Sequence, residues 1–291
     1  MSGTNADIID ARGGSGRDPQ YENFLQHYRT VDSVTIPKEY FEKISAEERA
    51  PRAVLRTVLG NPFPMALMGF LMASTPLGCT LMGWRGAGGA GAALIGTFYF
   101  FGGMLQIIGA LMEWIIGNTF PCVVFASYGA FWLTTGMTLT PEYDAMKAYS
   151  STAEFYNTYG FFYMIMTVLT FLYVLASLRT NIVLVVTFFF IDMAFFMLMS
   201  SYWVAAEGKP KISHDLQIAA GAFVFTFCMS GWYLWFSIIL TSLDFPFIIP
   251  LGDLSKRFPS MTEMKKRKME RRGKQQNDNI NGAGEHQEKE V

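Results

Sequence analysis

Residues 182–204 read IVLVVTFFFIDMAFFMLMSSYWV, an apolar run of 23 residues in which Asp192 is the one charged side chain. About 20 helical residues cross the roughly 30 Å hydrocarbon core of a bilayer. No water is present there to satisfy backbone polar groups, and a helix satisfies them internally. The run therefore reads as a membrane span. Outward from it, five more apolar stretches lie at 65–82, 92–116, 120–139, 155–178 and 216–240. The sequence predicts an all-α integral membrane protein with six transmembrane helices.

Composition points the same way. Hydrophobic residues make up 51% of the 291 and charged residues 16%, against roughly one-quarter charged in soluble domains. A net charge of −1 leaves no basic footprint for nucleic acid. Cys79, Cys122 and Cys228 all fall inside apolar runs and read as small buried hydrophobes, not as a disulfide framework. The Gly-rich stretch 85–91 joins two spans and follows no strand, so it does not fit a dinucleotide-binding loop. No nucleophile motif, phosphate loop or metal-ligand cluster is legible. Transport is favoured over catalysis, and no cofactor or metal is expected.

Three regions follow. Residues 1–60 are polar and of mixed charge, a cytoplasmic N-terminal tail expected to be largely disordered. This start lacks the apolar core of a secretory signal, so the first span is expected to do the targeting. Within the tail, 44–59 has helical spacing with Arg49, Arg52 and Arg56 interleaved, which fits either a solvated helix or one lying on a membrane surface. Residues 61–250 form the transport domain. Residues 251–291 read as a basic, disordered cytoplasmic tail, and Lys265 to Arg272 holds six bases in eight residues, a pattern attracted to anionic lipid. With both termini inside, nineteen bases fall on the inner side and four on the outer, which favours cytoplasmic termini.

The odd-numbered spans share a start: Asn61-Pro62, Asn118-Thr119-Phe120-Pro121 and Thr180-Asn181. Asn is a good helix cap, and Pro is tolerated in the first turn, where its missing N–H would be unpaired anyway. Spacings of 57 and 63 residues between these Asn residues suggest three parallel helical hairpins around a central path. Nine or ten residues beyond each Asn stand Phe70, Tyr128 and Ile191. At about 1.5 Å per residue they reach about 15 Å, half the hydrocarbon thickness. The same spacing fits three large side chains that merely face the core or the lipid.

Other stripes orient the helices. Gly102, Gln106, Gly109 and Glu113 fall on one small and polar face, suited to close helix approach and turned from lipid. Ser127, Thr134 and Thr138 suggest a similar face on the third span. Gln106 is assigned to packing first and to substrate contact second. Glu113 and Asp192 are the carboxylates within the spans, and an ionisable residue there is a functional candidate by default. For Glu113, pairing at the helix end and a role in proton coupling both stand. For Asp192, a proton relay and a hydrogen bond to a neighbouring helix both stand.

At Asn61-Pro62-Phe63-Pro64-Met65-Ala66-Leu67 the chain resembles the Asn-Pro-Ala-Pro-Leu-Gly-Leu signature of the acetate uptake transporter family, with Phe63, Met65 and Ala66 as departures. The resemblance continues through Tyr99, Gly102-Gly103, Gln106, Glu113, Gly117-Asn118-Thr119-Phe120, Ser127-Tyr128-Gly129 and Phe131-Trp132-Leu133-Thr134. Asp244-Phe245-Pro246 and Gly252-Asp253-Leu254 resemble its fungal branch, so about residues 55 to 255 are covered. The resemblance implies a plasma-membrane transporter of acetate and other short carboxylates, including succinate, with proton-coupled or channel-like passage. It implies a six-helix subunit, hexameric in bacterial relatives. The family's narrow point, a Phe, Tyr and Leu trio, maps onto Phe70, Tyr128 and Ile191, with Ile in place of Leu. An ammonium or ammonia exporter and an acetate-responsive membrane sensor are the rival functions. The helix starts at Asn61, Asn118 and Asn181 are expected to present unpaired N–H groups that draw a carboxylate into an inner vestibule.

Overall fold

The computed structural model describes residues 58–254, the strands at Arg29–Thr30 and Ser33–Val34, and scattered positions from 257 to 271. In the first sixty residues, β1 (Arg29–Thr30) and β2 (Ser33–Val34) pair antiparallel, with Arg29 opposite Val34. The helix expected over 44–59 lies outside the described residues except at its last two positions, as does most of the disorder expected in both tails. Where the C-terminal tail is described, positions 261, 264–265 and 268–271 are helical instead of irregular.

Among the described residues, six helices are long and apolar enough to cross a membrane: α1 (Phe63–Leu81), α2 (Gly91–Ile115), α3 (Thr119–Leu139), α4 (Thr152–Ser177), α5 (Ile182–Ala206) and α6 (Pro210–Ser242). Local sequence explains their ends. Ser151 caps α4 by accepting from the Glu154 N–H at 3.2 Å, and the Glu154 carboxylate accepts in return from the Ser150 N–H. Asn181 caps α5 by accepting from the Leu184 N–H at 2.8 Å. α6 opens at Pro210, six residues before its apolar run. Proline suits a first helical position, and polar residues such as His214 and Asp215 are helical here although hydropathy marks them as loop.

The helices close into a ring. α2 packs on α1 and α3, α5 packs on α4 and α6, and α1 packs on α6, where Trp232 donates to Thr75 Oγ1 and Trp235 to the Pro64 carbonyl, both at 3.0 Å. Side chains join α3 to α4: Ser127 bonds Tyr173 and Tyr128 bonds Thr170, each at 3.1 Å. Thr187 of α5 reaches Ser230 of α6 at 2.8 Å. Outward faces carry Phe100, Leu111, Trp114, Phe161, Ile165 and Leu172, all exposed, an apolar surface suited to lipid.

Small residues set the closest approaches. A Cβ on Gly109 would stand 2.5 Å from Ala66 Cβ, and one on Gly102 would stand 2.5 Å from the Trp132 ring. Gly102, Gln106, Gly109 and Glu113 are all buried, so the α2 stripe faces inward as its spacing predicts. The α3 stripe does so only in part: Ser127 bonds Tyr173 of α4 and Thr138 is half-buried. Thr134 is exposed, and Thr134 and Thr138 bond their own helix carbonyls at 2.9 Å. A threonine that bonds back to its helix can face lipid. The buried face of α3 is instead Tyr128, Gly129, Trp132, Thr135 and Gly136. Within α2, residues Phe98–Leu105 form a π-helix, a widened turn often associated with functional regions.

Candidate functional site: a cavity that narrows at three helices

The site begins with where α1, α3 and α5 start. At that end of the bundle a cavity of about 450 Å3 is lined by Phe63, Phe120, Pro121, Thr180 and Asn181 at its mouth, with Leu67, Val124 and Phe188 deeper. The walls are mostly apolar because each helix start is followed by inward-facing aliphatic and aromatic side chains. Asn181, Thr180, Thr187 and Tyr128 supply the polar groups.

Phe70, Tyr128 and Ile191 are all buried and all line this cavity. Phe70 and Ile191 also line the next space, of about 30 Å3, with Ser74, Trp132, Ala194 and Phe195. The wide cavity therefore pinches at the depth of these residues. Phe70 stacks on Tyr128 with centroids 5.4 Å apart and on Phe227 of α6 at the same distance. Phe227 was not singled out by the sequence, because the repeat of helix starts points only to odd-numbered helices. Its signal was Leu234, one heptad further along α6 and also buried. At the opposite end of the bundle a space of about 820 Å3 is lined by Tyr156, Tyr159, Tyr202, His214 and Gln217 among others.

Of the helix-start residues, Thr180 and Asn181 line the cavity, whereas Asn61, Pro62, Pro64, Asn118 and Thr119 do not. Asn61 is exposed, Pro62 and Pro64 are buried, Thr119 is exposed, and the cavity walls are their neighbours Phe63, Phe120 and Pro121. Capping also departs from the expectation. Asn61 accepts from the Phe63 N–H at 3.1 Å, one residue ahead of the position that caps α1. Asn118 makes no side-chain cap bond and instead donates from Nδ2 to Glu113 Oε2 at 2.6 Å. A cap side chain usually bonds the second or third helical N–H, and here Pro121 removes the third.

Nor does the end of α5 present free donors. The Ile182 and Val183 N–H groups donate to the carbonyls of Gly252 and Leu251, at 2.8 and 3.4 Å, and the Leu184 N–H to Asn181. At α1 the Met65 and Ala66 N–H groups both reach the Pro62 carbonyl. The expected ring of unpaired N–H groups is thus corrected at two of its three members. Satisfying a buried helix end with chain atoms avoids the cost of an orphaned donor. The acceptors at α5 come from residues 251–252, which the sequence assigns to the tail. The boundary expected at 250 falls inside a segment that packs on the bundle.

The two intramembrane acids differ in setting. Glu113 is fully buried and tied to Asn118, whose N–H also donates to the Glu113 carbonyl at 2.8 Å, so the pair joins the end of α2 to the start of α3. Asp192 is 6% exposed, and its Oδ1 has no hydrogen-bond partner among the described residues. Gln106 is buried and donates to the Gly102 carbonyl at 2.6 Å within the π-helical segment. Among the described residues no group of three His, Cys, Asp or Glu side chains is placed to hold a metal ion.

A six-helix ring, apolar outside, with an apolar-walled cavity that narrows at mid-bundle, defines a multi-pass membrane protein built around an internal passage. Over residues 47–256 the chain matches the GPR1/FUN34/yaaH family, and it belongs to that family. It is 40% identical to Protein alcS of Aspergillus fumigatus (strain CBS 144.89 / FGSC A1163 / CEA10), over 82% of this chain and 92% of that protein. It is 29% identical to Acetate transporter protein patA of Aspergillus clavatus, over 69% of this chain and 81% of that one. Among solved structures it is similar to the bacterial acetate channel SatP, with 26% identity and a TM-score of 0.52, covering 67% of this chain and 99% of that chain.

Proposed function

We propose that this protein carries acetate and other short-chain monocarboxylates, and the dicarboxylate succinate, across the plasma membrane. The observation that carries this reading is the convergence of Phe70, Tyr128 and Ile191, from three different helices, where a cavity of about 450 Å3 contracts to one of about 30 Å3. The relatives named for acetate support the substrate class.

The physical problem is desolvation. A carboxylic acid titrates near about 4.3, so at neutral pH acetate is almost wholly charged and crosses lipid poorly. Asn181, Thr180 and Thr187 at the cavity wall replace part of its water. At the narrow point the Tyr128 hydroxyl, already bonded to Thr170, is the polar group placed to share a hydrogen bond with the carboxylate. The apolar rings of Phe70 and Phe227 accept the methyl group and admit little water. Single replacement of Phe70, Tyr128 or Ile191 by Ala alters uptake rate and selectivity if these residues gate the path.

Asp192 is assigned to proton coupling. A charge at mid-membrane costs about 2.5 to 3.5 kcal/mol on insertion scales, so a carboxyl held there beside Ile191 is suited to take and release a proton as substrate passes. Both termini are placed in the cytoplasm, the cavity opens to that side, and the basic stretch 265–272 meets anionic lipid. Assembly is assigned as a homo-hexamer, which a native mass of six subunits checks.

Uptake of labelled acetate into proteoliposomes tests the function, with and without an inward proton gradient and against protein-free vesicles. Uptake above background, with competition by propionate and succinate, is expected. A response to the gradient marks coupling, and its absence marks channel-like passage. Competition by methylammonium alone would replace the carboxylate reading with an ammonium one.

A further inference from the structure

Beyond α6 the chain turns at Leu243 to Phe245 and returns across the bundle end as a strap, residues 249–254. Hydrogen bonds to α6 and to the start of α5 hold it. The Tyr233 hydroxyl donates to the Pro250 carbonyl at 2.9 Å and the Ser237 hydroxyl to the Ile249 carbonyl at 3.2 Å. The Ile182 and Val183 N–H groups donate to Gly252 and Leu251, and the Leu254 N–H donates to the Thr180 carbonyl at 3.0 Å. Gly252 has φ 70°, and a Cβ there would stand 2.8 Å from the Ile182 side chain, so the strap lies tight against the first residue of α5. Between these fixings the Leu251 side chain lines the 450 Å3 cavity, the one lining residue that follows the last span.

We propose that Leu251, carried on this strap, is a size-selecting stopper at the mouth of the cavity, a specificity-determining residue outside the six helices. The proposal rests on the transport reading above. Its mount differs from that of the mid-bundle trio. Phe70, Tyr128 and Ile191 stand on packed helices, whereas Leu251 is held through backbone atoms of a segment with no regular structure of its own. It packs against the buried core of the bundle, and it is half-buried where the trio is buried. A branched aliphatic side chain at that position occupies volume that a longer acid needs for its alkyl chain, while acetate needs little of it. The strap is fastened to α6 by only two side chains, Tyr233 and Ser237, so its seating can be loosened without touching a cavity wall.

The test uses full-length protein in proteoliposomes and reads the ratio of butyrate to acetate uptake, after subtraction of protein-free vesicles. A ratio is independent of the fraction of molecules correctly folded. Leu251→Ala is expected to raise it by about threefold to tenfold, below the roughly 10- to 200-fold that one methylene commands in a closed apolar pocket, because Leu251 is only half-buried. Leu251→Trp is expected to lower it. The double variant Tyr233→Phe/Ser237→Ala, which removes the two side-chain ties to α6, loosens the strap and leaves the Leu251 side chain unchanged, is expected to raise it as well. If wild type takes up acetate and the ratio stays at the wild-type value in all three, Leu251 is not a stopper. If wild type takes up no acetate, the transport reading falls first and this one with it.

Discussion

Tyr128 uses two different parts of its side chain, the ring against Phe70, Tyr173, Phe188 and Phe195 and the hydroxyl against Thr170, and the two separate by mutation. Tyr128→Phe keeps the ring and loses the hydroxyl. An interhelical hydrogen bond in a membrane averages about 0.6 kcal/mol, so a small loss of stability in detergent is expected. Thr170→Val removes the same bond from the other side and should cost as much. Only Tyr128→Phe should raise the KM for acetate, because only Tyr128 lines the cavity; equal KM values in the two variants would remove the hydroxyl from the path. The two acids separate in the same manner. Asp192→Asn should abolish the response of uptake to a proton gradient with the fold retained, since Asp192 Oδ1 has no partner to lose. Glu113→Gln should weaken the tie to Asn118, where a hydrogen bond to a charged group is worth roughly 1.5 to 3 kcal/mol, lowering thermal stability and leaving the gradient response. A lost response in Glu113→Gln at unchanged stability would reverse the assignment. The trio itself was legible from the count of residues past each Asn, because helix rise converts sequence distance into depth. The tie between Glu113 and Asn118 was not, because it depends on a proline that removes the usual target of the cap.

For whole elements, the spans were legible to within a few residues wherever the apolar run and the helix coincide, as at Ile182. The exceptions have physical causes. α6 begins early because Pro210 starts a helix that polar residues then continue, and hydropathy is blind to a helix that projects beyond the apolar zone. The π-helical turn at Phe98–Leu105 leaves no mark on periodicity, since one extra residue in a uniformly apolar stretch changes no pattern. The strap was hidden because its role is carried by backbone carbonyls, which any sequence possesses. The Gly stripe of α2, by contrast, was readable, and it gives an element-scale prediction. Gly109→Ala puts a methyl group 2.5 Å from Ala66 Cβ, and overpacking of this kind costs about 1 to 3 kcal/mol. Unfolding in detergent should show that loss. Ala66→Gly added to Gly109→Ala should recover part of it, because the shortest approach is to the Ala66 side chain while the Ala66 Cα stays at 3.2 Å. Strict additivity of the two changes would mean that α1 and α2 are not held at this contact.

Across the whole molecule, orientation ties the cavity to a compartment. The end at which α1, α3 and α5 start carries the cavity and the strap, and the opposite end carries the space lined by Tyr156, Tyr159, Tyr202 and His214. Bases are retained on the cytoplasmic side during insertion, and the proposed topology assigns nineteen of the 23 to the side of the first end. The four that belong with the other end include Lys147, whose side chain is 84% exposed, and Lys209, whose side chain is 55% exposed. Both are therefore reachable by an amine reagent that cannot cross the membrane. In intact cells such a reagent should modify Lys147 and Lys209, and should modify the lysines of 265–272 only after permeabilisation. The reverse pattern would turn the molecule over. The strap and Leu251 would then meet substrate arriving from outside, and size selection would act on entry instead of on access from the cytoplasm.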